Sequence, residues 1–175
     1  MLGQAIALSL FFFLAPLAWK AYSKEGKPWT KFLGLESKDP SRDLFYAVTG
    51  FALLAATAFL VVAVSALAGF DDTQKVAETI LKLSAAELAF IVTVQVLGEE
   101  VFFRAFLSPR IGAIASSVAF ALAHSAYGST VEVAAALLSG LILAFVYKQA
   151  GNVWPGFAAH AGFNLLSLAA YLNSA

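Results

Sequence analysis

The segment GEEVFFRAF, residues 98–106, sets Glu99, Glu100 and Arg104 among residues that are otherwise Phe, Val, Leu, Ala and Gly. On an α-helix Glu100 and Arg104 are four apart, so they share a face and can pair. Glu99 lies about 100° round from Glu100 and is left over. The only two histidines of the chain also sit in apolar segments: His124 ends FALAH, four residues after Phe120, and His160 opens HAGFN, four residues before Asn164. That spacing stacks polar groups on adjacent turns of one face. A carboxylate held in low dielectric beside an imidazole can deprotonate a water, its proton affinity being set by burial and by acidic neighbours. A second His and an Asn can then donate N–H groups to the developing oxyanion. Such a site needs neither metal nor covalent intermediate.

Other chemistries fit less well. No HExxH is present, so the usual zinc turn is missing, although Glu99, Glu100, His124 and His160 could still form a mixed nitrogen and oxygen metal site. No G-x-S-x-G is present, and the absence of cysteine excludes a thiolate nucleophile, sulfur ligation and disulfides. A purely structural reading treats the acids and Arg104 as a staple between helices. It has to explain why three such groups, each costing roughly 2.5 to 3.5 kcal/mol at mid-bilayer, occur within so few residues.

The elements that position these groups are membrane helices. Of 175 residues 61% are hydrophobic and only 13% charged, with a mean hydropathy of +0.81. A hydrocarbon core of about 30 Å needs about 20 apolar residues in helix. Cutting the chain at charges and at Pro and Gly clusters gives spans near 2–19, 44–70, 83–107, 111–127, 131–147 and 153–173. The expected fold is an all-α bundle of about six transmembrane helices with the polar site in its core. The N-terminal stretch lacks a basic n-region and reads as a retained helix rather than a signal peptide. Pro109 is expected to break the helix at Ser108, while Gly151 suits a C-cap and Pro155 a helix start. Residues 1–82 read as N-terminal helices with a polar loop and 83–175 as the functional core of one membrane domain, with no room for a soluble one.

Lys20, Lys24, Lys27, Lys31, Lys38 and Arg42 surround the first loop, and Arg110 and Lys148 fall on its side, against Lys75 and Lys82 opposite. Eight against two places the first loop in the cytoplasm and both termini outside. With Trp29 and Phe32 among its lysines, that loop suits a segment on the headgroups, or else a solvated connector. Eleven basic and eleven acidic residues cancel, and no basic cluster on a folded segment argues for nucleic acid. Counting rise from the cytoplasmic ends puts Glu99, His160, Asn164 and His124 at about 12, 10, 16 and 20 Å, and Arg104 at about 5 Å. The first four share a layer, which suggests a hydrated pocket open toward the cytoplasm. Arg104 is near enough to the interface to snorkel while still reaching Glu100.

EEVFFR, FALAH and HAGFN resemble the motifs EExxxR, FxxxH and HxxxN of the CPBP membrane proteases, which include the CAAX-processing endopeptidases and the bacteriocin-immunity (Abi) proteins. GNVWPGFAAH is similar to the lead-in of the third motif. The resemblance covers residues 83–173. It departs at Ala105, where many members have Gly, and in having fewer preceding spans than eukaryotic members. It implies that Glu99 is the base on water, assisted by His124, that His160 and Asn164 polarise the scissile carbonyl, and that Glu100, Arg104 and Phe120 support or wall the site.

The reading is therefore a metal-independent glutamic-type intramembrane endopeptidase, without cofactor, acting on a membrane-associated peptide or protein substrate, prenylated CAAX-type substrates included. A divalent metal at Glu99, His124 and His160 is not excluded. A non-catalytic scaffold or immunity protein of the same fold is the alternative. A small proton-coupled transporter is a further one, but it lacks the paired inverted repeats expected of it. The predicted orientation has its own check: a topology reporter fused after Ala175 is expected to read outside, and a cytoplasmic signal would mean a miscounted span.

Overall fold

The computed structural model describes residues 2–23 and 25–174, which form helices and short connections with no strand among them. Met1, Lys24 and Ala175 lie outside the described residues, and with them one lysine of the basic loop and the fusion point. The helices are α1 (Leu2–Ser23), α2 (Trp29–Phe32), α3 (Pro40–Leu67), α4 (Gln74–Ile80), α5 (Ala85–Ile111), α6 (Ala113–Ala123), α7 (Thr130–Ala150) and α8 (Trp154–Ser174). A 3-10 turn, His124–Tyr127, continues α6.

Local chemistry sets the ends. Asp39 accepts the Arg42 amide ahead of α3, with Pro40 in the first turn, and Ser84 and Glu87 form a reciprocal capping box on α5. Ser129 caps α7, which Gly151 ends at φ +77°, and Pro155 stands in the first turn of α8, as both residues were expected to do. The break expected at Pro109 is absent: α5 runs through Ser108–Ile111 and stops at Gly112, φ +88°. Just before the proline the Phe103 carbonyl accepts the Ser108 amide five residues on and the Ser116 hydroxyl at 2.7 Å as well, and the Phe106 carbonyl accepts from the Arg110 guanidinium. The stop itself needs a positive φ, which only glycine adopts readily.

Among the described residues, three helices are long and apolar enough to cross a bilayer: Ala5–Ser23, Pro40–Leu67 and Thr130–Ala150. The pair Gln74–Ile80 and Ala85–Ile111, bent by 109°, makes a fourth. The remaining two expected spans are helical but do not meet that standard alone. Ala113–Tyr127 is short, and α8 carries His160 and Asn164 within its length. Contacts between turns nonetheless define two faces. On the basic one Arg42 donates to the Ala150 carbonyl (2.7 Å), Trp154 to that of Leu35 (3.0 Å), and Arg110 pairs with Glu25 (2.7 Å). On the other, Asp72 and Lys75 reach residues 128–131. α1, α3, α5, α6, α7 and α8 each run between them.

Close backbone approach holds the core around α7. A Cβ on Gly140 would come within 2.9 Å of Ser117 Cβ and 3.1 Å of its Cα, and one on Gly50 within 2.9 Å of Val146. Small residues at four-residue spacing, Ala136, Gly140 and Ala144, let α6 dock this tightly on α7, and Gly50 does the same for α3, where lipid supplies no hydrophobic drive.

Asp72 fastens the bent connection to α7, accepting from the Ser129 hydroxyl at 2.6 Å, the Thr130 amide at 2.8 Å and the Val131 amide at 3.2 Å. The Ser129 hydroxyl and then the Thr130 amide hold its carboxyl down to about 2. Its folded value lies below the ordinary 3.8, so the stabilisation is present above about pH 4 and disappears as pH falls through about 2. Asp72→Asn is expected to lower the unfolding temperature in detergent at neutral pH, with the difference from wild type vanishing as pH approaches 2.

Candidate active site

The polar cluster is built on α5, whose hydrogen bonding switches to the wider π pattern at Ile91–Gln95 and again at Glu100–Leu107, with one α turn, Val96–Glu99, between. Glu99 and Glu100 therefore sit at the junction of two helical pitches, a kind of distortion frequent at functional sites. Gly98 permits α1 to close over it: a Cβ there would stand 3.2 Å from the Phe13 ring and 3.3 Å from Phe12 Cβ.

Glu100 and Arg104 are both 0% exposed and form the expected ion pair, Nε to Oε2 at 3.6 Å. That separation exceeds a hydrogen bond. The guanidinium lies 4.5 Å from the Phe120 ring centroid and 5.8 Å from that of Phe103, so charge and ring faces hold it rather than hydrogen bonds. The expectation that Arg104 snorkels to the interface is wrong. Side chains on a helix lean toward its N-terminus, and that direction carries Arg104 inward to Glu100, away from the nearer bilayer surface.

His160, on α8, bridges the two acids. Its Nδ1 is 3.1 Å from Glu100 Oε1 and its Nε2 is 3.8 Å from Glu99 Oε2. An Nδ1–H donated to Glu100 fixes the tautomer and leaves Nε2 facing Glu99. Glu99, 6% exposed, accepts from Gln95 Nε2 at 3.0 Å through its other oxygen. His124 stands at the end of α6, where its Nδ1, as donor, is 2.9 Å from the Phe120 carbonyl, so that its Nε2 is free for other work. The Phe120 ring lies between the imidazoles, 4.5 Å from His124 and 5.8 Å from His160. Asn164, one turn beyond His160, is half-buried and makes no hydrogen bond among the described residues.

Glu99 and His124 line one cavity of about 200 Å³, with Gln95, Tyr127 and Glu87 as other polar walls and Leu8, Phe12, Leu83 and Ile91 as apolar ones. It extends to Thr79 and Leu83 and so faces the side of the bent α4–α5 connection. The expectation of an opening toward the basic loop is therefore reversed. Depth counts measure how far a residue lies from an end; the mouth is set by the 109° break, which draws α4 aside on the opposite face.

Five residues escaped the sequence reading. Gln95 is four before Glu99 in VTVQVLGEE, a polar interruption that helical spacing could have exposed. Glu132 shares the α7 seam of Ala136, Gly140 and Leu143 and interacts electrostatically with both His124 and His160. Gly156 underlies Glu100: a Cβ there would stand 2.6 Å from Oε2. Ser116 and Tyr127 complete the set, and only coordinates reveal their contacts. Ala105, the departure from the family pattern, packs with Val101 and Val153. Among the described residues, no three His, Asp or Glu side chains are grouped to hold a metal ion.

Residues 81–166 match the family described as type II CAAX prenyl endopeptidase Rce1-like. All three motifs lie inside that segment. No curated protein and no solved structure matches the chain.

Gly156→Ala is expected to displace Glu100 Oε2, the oxygen facing Arg104, and so to disturb the buried ion pair and the seat of His160 on Glu100. Peptide cleavage should drop at least about tenfold, and the unfolding temperature should fall as well, because the pair is sealed from water. Gly140→Ala, which strikes the Ser117 backbone, should destabilise by about 1–3 kcal/mol.

Proposed function

We propose, from the premise that the segment 81–166 belongs to the Rce1-like CAAX prenyl endopeptidase family, that this integral membrane protein is a glutamic-type endopeptidase cutting a peptide bond within the bilayer boundary. The observation that carries the reading is that Glu99 and His124 face one cavity while His160 braces Glu99 from behind.

In this reading Glu99 takes a proton from a water held between it and His124 Nε2, and the resulting hydroxide attacks the scissile carbonyl. Asn164 donates to the oxyanion, with His160 as a second donor when both its ring nitrogens carry protons. The proton on Glu99 passes to the departing amine, the C–N bond breaks, and carboxylate and amine leave. Glu100, paired with Arg104, orients the His160 ring, Gln95 holds Glu99, and Phe120 spaces the imidazoles. The apolar wall of Leu8, Phe12, Leu83 and Ile91 suits a substrate whose cleaved end carries a lipid, as a prenylated C-terminus does. Positive-inside orientation places the mouth on the outer face. No metal takes part.

Glu99→Gln is expected to reduce cleavage of membrane-embedded candidate peptides, read by mass spectrometry, by about 10²–10⁴-fold. Wild-type activity should survive exhaustive chelation. Chelator-sensitive cleavage would restore a metal mechanism, and full biological activity in the Gln variant would leave the scaffold reading.

A further inference from the structure

Apart from the cavity beside Glu99, a crevice of about 250 Å³ opens on the basic face, lined by Lys31, Lys38 and Arg42 with Glu36, Asp39 and the Ala150–Gly151 turn. Its two acids are already engaged. Glu36 accepts from the Thr30 hydroxyl at 2.6 Å, and Asp39 caps α3 through the Arg42 amide at 3.0 Å. Arg42 spends one nitrogen on the Ala150 carbonyl, while Lys31 and Lys38 have no hydrogen-bond or ion-pair partner among the described residues. Three cations against two carboxylates leave the concave site with a net positive charge.

The surroundings of the crevice suit one kind of occupant. Trp29 and Trp154, 48% and 39% exposed, stand near it in the chain, Trp154 bonded to the Leu35 carbonyl, and exposed tryptophans suit the headgroup level of a bilayer. One turn below Arg42 begins an exposed apolar strip, Leu44, Phe45 and Val48, and Phe145 of α7 joins it alongside Tyr46 at 6.4 Å. A ligand with a phosphate at one end and acyl chains at the other matches both parts. We infer that this crevice is a binding site for an anionic glycerophospholipid, its phosphate between Lys31, Lys38 and Arg42 and its chains along the α3–α7 strip. The positive-inside orientation puts the crevice against the leaflet whose anionic surface attracts such clusters.

Native mass spectrometry of the purified full chain tests this with phosphatidylglycerol, phosphatidylcholine of the same acyl chains, and inorganic phosphate as competitor. Wild type is expected to retain phosphatidylglycerol preferentially, with millimolar phosphate failing to displace it and added salt weakening it. Lys31→Gln/Lys38→Gln should bind it about thirtyfold more weakly, from about 1 kcal/mol per cation, with unchanged unfolding temperature without lipid. Lys75→Gln/Lys82→Gln on the opposite face should bind as wild type does. Equal retention of phosphatidylcholine, unaltered binding by the Lys31/Lys38 variant, or displacement by free phosphate would each overturn the inference, the last in favour of a soluble anion.

Discussion

The structure depends on a charge cluster that cannot reach water and must be satisfied within the bundle. Glu100 and Arg104 are sealed from solvent, and an uncompensated charge there would cost several kcal/mol. Each answers the other, while His160 takes Glu100's remaining side and Phe120 receives the guanidinium on its face. Three helices are thereby committed to one relative placement: α5 supplies the acids and Arg104, α8 the imidazole, α6 the ring. The small-residue seam of α7 follows from this, because only backbones that approach closely leave no lipid among these groups.

Much of this was legible in the chain. Four-residue spacing correctly announced the Glu100–Arg104 pair, Glu99 as the acid left over, and the stacking of Phe120 with His124. Helix caps at Gly151 and Pro155 follow from backbone chemistry that acts over a few residues. The failures share a cause, since each concerns direction or pitch rather than spacing. Arg104 leans along the helix in a sense that a count of depth does not contain. Pro109 sits in α5 directly after the wide-pitch stretch Glu100–Leu107, where Ser108 donates to Phe103 five residues back, a register that no α-helical count includes. The π-helical stretches of α5 leave no mark on an apolar sequence, and Gln95 and Glu132 look like ordinary polar interruptions until the third dimension is added.

The chain thus divides its polar resources by face. On one side, lysines, arginines and tryptophans gather around a phosphate-sized crevice. On the other, the bent connection is tied to α7 by Asp72 and borders the cavity that holds Glu99 and His124. Catalytic and lipid-anchoring chemistry would then operate at opposite ends of the same bundle, with α7 running between them.

Phe103 and Phe120, buried to 3% and 1%, close on Arg104 beneath the acids. The two rings form an aromatic plug around the guanidinium. In the proposed reaction such a plug would confine proton and water exchange to the cavity side of Glu99, so that an acid could work inside the membrane without short-circuiting the ion gradient across it.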